Sequence, residues 1–434
     1  MALLTLALAG CGSSAGGPPP GGRNLPRATR AAWTVLVYMN AANNLEAYSL
    51  ENVDQMEQVP YSTNVNVVVQ WKWLHEAGTA ADQGFDSRAP LFDGTRRFWI
   101  SGRGAGNYNL DQVQDLGSGA AGTSPATVDM GDYHSLQSFI QWGETNFPAD
   151  HTIVVLWNHG AGWEHRAAGR PAPVQRGVSY DDQSGNSIET WQLPQAFSGV
   201  APPDVVAFDA SLMQMIEVAY EIRSDTSYVV GSEDSPPGDG YPYDQWLNAL
   251  VSAPSTTPLN VSDSICDTFV TRYQQRPDSN GLMDAVQQSV VQTSALPGLA
   301  SSVNTLGTVL YNNRATSGQA FASARDTAHE YAFENGVTIY GEYKDLVEYC
   351  NLLEQDAPGV PGLNAAAEAV KTNFAGTVLH NKAILSDSFS NGLSIYVPTP
   401  PNPSDAPHSY DSSYGNLQFA QDTTWGKWLQ NQAN

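Results

Sequence analysis

Two short polar clusters carry the residue types that acyl-transfer chemistry needs. Asn158-His159-Gly160 follows the apolar run Thr152–Leu156, and Asp209-Ala210-Ser211 follows Asp204–Phe208. A histidine just past a strand end is placed to take a proton as a general base. The glycine after it lets the backbone approach a bound substrate and offers an N–H to a developing oxyanion. Ser211 supplies a hydroxyl nucleophile, and a helix starting there would add the partial positive charge of its N-terminus. Each residue also has a plainer use: a histidine satisfied by its neighbours, a serine capping a helix, an aspartate hydrogen-bonded in the core. His134 and His165 are the nearby alternatives as base. The first is expected in the opening turn of a helix and the second in a polar loop, and neither ends an apolar strand.

Positioning these clusters falls to five short β-branched runs: Thr34–Tyr38, Val65–Gln70, Thr152–Leu156, Asp204–Phe208 and Ser227–Val230. Continuous rather than alternating apolar character predicts strands buried on both faces of a parallel sheet. Between them, Leu136, Phe139 and Ile140 share a helical face. Leu212, Met215, Ile216, Ala219 and Tyr220 fit the i, i+3, i+4, i+7, i+8 pattern, predicting a helix that begins at the Asp209–Ser211 junction. Strand–helix alternation predicts an α/β sandwich with right-handed crossovers, in which ligands bind at the carboxyl ends of the strands. Both clusters fall at such ends. Beyond about Pro258 longer helical stretches take over, such as Leu296–Asn312 and Ala365–Phe374, with Leu393–Val397 as a further strand. Gly117–Ser124 reads as a loop inside the domain. Residues 31–257 are thus expected to form the core, and 258–434 a helix-rich C-terminal part completing the same domain.

Composition narrows the functional classes. The chain has 434 residues, 41% of them hydrophobic, enough for a large core. Lys+Arg number 20 against 44 Asp+Glu, a net charge of −24 that repels nucleic acid. The three cysteines, Cys11, Cys266 and Cys350, are too few for a disulfide scaffold or a cysteine-based zinc site. Whether Cys266 and Cys350 pair depends on their separation in the fold. Ala2–Gly10 is apolar but far below the ~20 residues that span a bilayer. It ends in Leu8-Ala9-Gly10-Cys11, which looks like a bacterial lipobox closing a signal peptide over residues 1–11, with a plain secretory leader as the alternative. Residues 12–30, rich in Gly, Pro and Ser at their start, read as a flexible tether. The expectation is an exported protein held at a membrane or cell surface through a lipid on Cys11.

The two clusters, with a series of further segments in the same order, resemble the clostripain family of cysteine peptidases. The segments are Trp33-Thr-Val-Leu-Val-Tyr-Met39 with Asn43-Asn-Leu-Glu46, Asn66–Gln70, Leu156-Trp-Asn-His-Gly-Ala-Gly-Trp163, and Tyr180-Asp-Asp with Ser184-Gly185. Phe208-Asp-Ala-Ser-Leu-Met213 with Glu217-Val-Ala-Tyr220, Gly231-Ser-Glu233, Gly240-Tyr-Pro-Tyr243 and Gly392-Leu-Ser-Ile-Tyr-Val-Pro398 continue it. The resemblance implies a caspase-like α/β/α sandwich around a mainly parallel sheet. It makes His159 the general base, Gly160 an oxyanion donor and Asp209 the acid of a pocket for Arg or Lys at P1, a charge-assisted recognition. It implies peptide substrates, calcium dependence in some members, and self-processing in the Trp163–Ser179 loop, where Arg166, Arg170 and Arg176 stand. No cofactor is required by the sequence and no metal ligand is assigned, although Asp181-Asp182 offers oxygen donors.

The chain departs from the pattern at Ala42, where the family has Asp, at Gln214, where it has Gly, and above all at Ser211, where it has the nucleophilic Cys. A cysteine is a few per cent thiolate at neutral pH, whereas a serine needs a base in hydrogen-bond contact during attack. The expectation is therefore a peptidase whose activity is weakened or lost. The alternatives are a pseudopeptidase that binds basic peptides on the cell surface and an anchored interaction protein whose pocket is unused.

Overall fold

The computed structural model describes residues 29–74, 92–100, 110–120, 122–165, 176–276, 283–334, 337–402 and 409–432. In chain order the strands are β1 (Ala31–Ala41), β2 (Val65–Trp73), β3 (Asp93–Ile100), β4 (Leu110–Gly119), β5 (Ala149–Trp157), β6 (Gly160–His165), β7 (Arg176–Asp181) and β8 (Asn186–Ile188). They continue with β9 (Val205–Asp209), β10 (Tyr228–Gly231), β11 (Val286–Gln292), β12 (Tyr331–Glu334), β13 (Val337–Tyr340), β14 (Tyr343–Asp345), β15 (Val378–Ile384) and β16 (Ser394–Tyr396). The main helices are α1 (Glu46–Glu57), α2 (Tyr133–Asn146), α3 (Leu193–Ala196), α4 (Ile216–Glu221), α5 (Tyr243–Ser252), α6 (Pro258–Gln275), α7 (Leu296–Thr327), α8 (Leu346–Asp356) and α9 (Leu363–Ala375).

Nine strands make one sheet in the order β15-β11-β10-β9-β5-β1-β2-β3-β4. Its middle is the five expected runs: β2, β1, β5, β9 and β10 are mutually parallel. The antiparallel flanks, β3–β4 on one side and β11–β15 on the other, carry no continuous apolar run and have no forerunner in the sequence reading. Because side chains alternate along a strand, each middle strand feeds two cores. Leu36, Tyr38, Leu156 and Phe208 face a core closed by α2, α3, α4 and α7 to α9. Val35, Met39, Val155 and Ala207 face a second core closed by α1, α5 and α6. Full burial of each such residue stabilises by about 1.5–3 kcal/mol, so an unpaired polar group at any of them is costly. The result is the expected three-layer α/β/α sandwich.

Several local expectations are corrected. Leu393–Val397 does form a strand, β16, but it pairs with β14 outside the main sheet. Gly117 to Gly119 are the end of β4 rather than loop, and His165 is the last residue of β6. β11 and β15, from beyond Pro258, extend the same sheet as the first half. Cys266 and Cys350 are buried free thiols in the two different cores, separated by the sheet, and do not pair. Among the described residues no helix is long and apolar enough to cross a membrane. Cys11, Arg166 and Arg170 lie outside the described residues, and Arg176 opens β7 opposite His165.

Candidate active site

One register brings the two clusters together. β5 and β9 run parallel with Trp157 beside Asp209, so Asn158-His159 and Ala210-Ser211 leave the sheet side by side. The Asn158 N–H donates to the Asp209 carbonyl at 3.2 Å. Asn44, Tyr48, His159, Asp209, Ser211, Ser235 and Gly240 are among the residues that line a cleft of about 270 Å³ at this edge. That is just under the roughly 300–1,000 Å³ of a small-molecule site.

His159 is half-buried, with Nε2 2.6 Å from Asn44 Oδ1 and its ring stacked on Tyr180 at 5.8 Å between centroids. Burial pulls its pKa down to about 4, so the imidazole is neutral at physiological pH. Ser211 Oγ lies 2.9 Å from Ser235 Oγ. Among the described residues no hydrogen bond joins Ser211 to His159. Gly160 is buried and its backbone abuts the turn that carries Ser211; a Cβ there would collide with the Ser211 carbonyl oxygen.

The helix expected at Ser211 starts five residues later, at Ile216. The intervening turn bonds to the exit of β10 instead, with the Leu212 N–H donating to the Asp234 carbonyl and the Gln214 N–H to that of Ser232. Leu212 takes a left-handed conformation, φ +65°, which costs a branched residue about 1–3 kcal/mol. Ser211 therefore has no helix N-terminus behind it. The apolar pattern failed to mark this boundary because Leu212, Met213 and Met215 are as buried as the helix that follows.

Asp209 is 5% exposed. Its carboxylate accepts from the Tyr241 N–H at 3.1 and 3.2 Å and from the Tyr243 hydroxyl at 2.9 Å. Burial outweighs those bonds and raises its pKa to about 7. Gly240, at φ +62°, makes the approach possible, since a Cβ there would sit 2.8 Å from Asp209 Oδ1.

Asp181 is differently employed from what a calcium ligand would require. Its Oδ2 meets Lys72 Nζ at 2.6 Å in a fully buried pair and accepts from the Met130 N–H, while Oδ1 accepts from the Gln183 and Ser184 N–H groups. His134 lies in the first turn of α2, as expected, where the capping Asp132 carboxylate accepts from its backbone N–H at 2.9 Å and meets its Nδ1 at 2.8 Å. Cys266, Asp267 and His380 are the described residues grouped closely enough to hold a metal. Lys382 already occupies Asp267 at 2.6 Å, and burial pushes the Cys266 thiol well up, away from the thiolate a metal needs.

Residues 37–431 match the Clostripain family of peptidases. The chain belongs to that family. Clostripain of Hathewaya histolytica is 21% identical over 404 residues, covering 84% of this chain and 74% of that one. Two solved structures share the fold. A secreted C11 cysteine protease from Bacteroides thetaiotaomicron, bound to an irreversible peptide inhibitor, has a TM-score of 0.61 at 19% identity, over 92% of this chain and 99% of its own. An inactive zymogen C11 protease from Parabacteroides distasonis has a TM-score of 0.62 at 22% identity, over 91% and 99%.

Seen within the clostripain family, four residues that line the cleft or bond to its lining escaped the residue-level reading. Asn44, Gly240 and Tyr243 stood inside segments that carry the resemblance but had no role attached. Ser235 had no signal at all, because its meeting with Ser211 is made by the loop after β10.

Proposed function

We propose that this chain is a clostripain-like endopeptidase scaffold that takes Arg or Lys at P1 through Asp209, with turnover weakened by Ser211 in the nucleophile position. The observation that carries the reading is the buried Asp209 carboxylate on a small cleft shared with His159 and Ser211. A guanidinium or ammonium entering that cleft replaces lost hydration with charge-assisted hydrogen bonds and draws Asp209 into its ionised form. The −24 charge of the chain favours the approach of basic segments.

In the reaction, Ser211 Oγ bonds to the scissile carbonyl carbon as His159 takes its proton. The oxyanion so formed is met by the Gly160 N–H. Collapse breaks the C–N bond, His159 returns the proton to the leaving amine, and water hydrolyses the ester. The weak point is the first step. The hydroxyl is engaged with Ser235 and the imidazole with Asn44, so the serine must turn before its proton has an acceptor. A thiolate would need no such contact at the moment of attack.

An Arg-P1 reporter peptide tests the reading. Slow turnover above that of His159→Ala supports it, and identical rates for the two proteins contradict the peptidase claim. Binding of an Arg-containing peptide is expected to fall by about 2–5 kcal/mol in Asp209→Asn, the penalty of leaving a buried charge unpaired; equal binding removes Asp209 as the specificity residue. The lipobox-like leader supports export with a lipid on Cys11, tested by fatty-acid labelling that Cys11→Ala abolishes. Self-processing, if the chain has it, falls after Arg166, Arg170 or Arg176. Calcium dependence is read as reporter turnover with and without chelator.

A further inference from the structure

We propose that Asn44 is the positioning residue of the site: it accepts a hydrogen bond from the Nε2–H of His159, fixes the ring's tautomer and orientation, and leaves the lone pair on Nδ1 to receive the nucleophile's proton. This rests on the reading of His159 as general base given above. Which nitrogen of a histidine carries the proton is set by the partner of the other, and a base that must act on a hydroxyl or thiol gains from a third group that holds it still.

The placement is built from the sheet outward. β1 lies on the other side of β5 from β9, with Met39 beside Trp157, so the exit of β1 flanks the exit that carries His159. Asn44 stands between that exit and α1. Its neighbour Asn43 is locked by its side chain, with Nδ2 donating to the Tyr180 carbonyl at 2.8 Å and Oδ1 accepting from the Leu45 N–H at 3.0 Å. Asn158, the neighbour of His159, is locked to the same residue. Its Oδ1 accepts from the Tyr180 N–H at 2.6 Å, while Nδ2 donates to the carbonyls of Tyr180 and Asn40. The Ala42 carbonyl accepts from the Asp182 N–H at 2.9 Å. Both members of the Asn44–His159 pair therefore hang from one β7 residue, whose ring also carries the imidazole. The buried bonds hold the backbones, so the exposed Asn44 amide is left with the ring as its task.

An amide suits that task. It orients the imidazole as a carboxylate would, yet it adds no charge that would hold the imidazolium. Tyr48 and Asp209 are the titratable side chains that share the cleft with His159, and neither is its hydrogen-bond partner.

The test uses ¹⁵N-histidine spectra of the full chain, with the His159 signal assigned by its loss in His159→Ala. The parent is expected to show the Nε2–H tautomer. Asn44→Ala is expected to lose that preference. Asn44→Asp keeps an acceptor, so it retains the tautomer while moving the His159 titration, and with it the acid limb of the rate profile, to higher pH. In a Ser211→Cys background, Asn44→Ala is expected to lower kcat by about 10²-fold with little change in KM, the cost of a misplaced catalytic group. An unchanged tautomer in Asn44→Ala, or an unmoved titration in Asn44→Asp, overturns the proposal. If Asn44→Ala fails to fold, the Asn44→Asp titration decides alone. If Ser211→Cys shows no turnover, the endopeptidase reading fails, and the spectra still decide the role of Asn44.

Discussion

The exits of β5 and β9 leave the same sheet at the same level, yet they are held in opposite ways. On the β5 side, side-chain amides do the gripping: Asn158 ties the His159 segment to the Tyr180 backbone of β7, Asn43 and Asn40 tie the adjoining β1 exit to the Tyr180 carbonyl and the Ser179 hydroxyl, and Tyr180 backs the ring. On the β9 side backbone grips backbone, with Leu212 and Gln214 bonded to the exit of β10, and the Ser211 hydroxyl projects from that frame toward Ser235. Each side holds one non-glycine residue in the left-handed region, Ser179 at φ +63° and Leu212 at φ +65°. Such strain persists only where the surroundings over-determine it. The difference bears on the proposed role of Ser211. The β9 turn is fixed by main-chain bonds that do not depend on the side-chain atom at its tip, so a serine and a cysteine at position 211 would be held in the same geometry.

The comparison breaks most severely at Lys72. This fully buried ammonium pairs with Asp181, the residue after Tyr180, and so underpins the β5 side from below. Lys72→Met should cost about 3–5 kcal/mol in denaturant unfolding, because it strands a buried carboxylate. A loss under about 1 kcal/mol would mean that water reaches Asp181 and that the β5 side is looser than described. Gly160→Ala strikes where the two exits touch. The new methyl collides with the Ser211 carbonyl, and about 1–3 kcal/mol of stability should be lost together with reporter binding. Unchanged binding would show that the two exits move independently.

The smallest effect concerns pH. Asp209, Glu217 and Glu221 are all raised to about 7 by burial. The folded protein then holds protons that the unfolded chain releases near pH 4. The stability this gives is complete below that ordinary carboxylate range and is lost as pH rises through about 7. The depressed His159 acts in the opposite sense, but only below its unperturbed value of about 6.5. The melting temperature should therefore fall between about pH 5 and pH 7.5, where three carboxylates outweigh the one histidine, and level off above that, and Asp209→Asn should reduce that slope. A Tm that rises over the same interval contradicts the assignment of Asp209 as a buried, largely protonated group in the absence of a basic ligand.

What was legible in the sequence follows from what the physics makes local. The five parallel strands announced themselves because strands covered on both faces must be continuously apolar, and they set the strand ends where His159, Asp209 and Ser211 stand. The antiparallel flanks did not, because strands such as Val286–Gln292, with three glutamines and a serine, satisfy their polar side chains through partners distant in sequence. The start of α4 was misplaced since burial on every side of residues 212–220 erases helical periodicity. Asn44 and Ser235 meet their partners across more than a hundred residues and across 24 residues respectively, through loops whose paths only the fold determines. Asp181 looked like an oxygen donor for a cation, and its cation proved to be Lys72, from the neighbouring end of β2.

The central proposal, a base and a basic-residue pocket around a serine in the nucleophile position, is tested most directly by kcat/KM for an Arg-P1 reporter in Ser211→Cys. A thiol can give its proton to His159 before attack, so no hydrogen bond between the two is needed at the moment of attack, while His159 still takes that proton and returns it to the leaving amine; the step relieved is worth about 10²- to 10⁴-fold. The account predicts a gain of that order over the parent, abolished when His159→Ala is added. No gain, or a gain that survives the loss of His159, would contradict it.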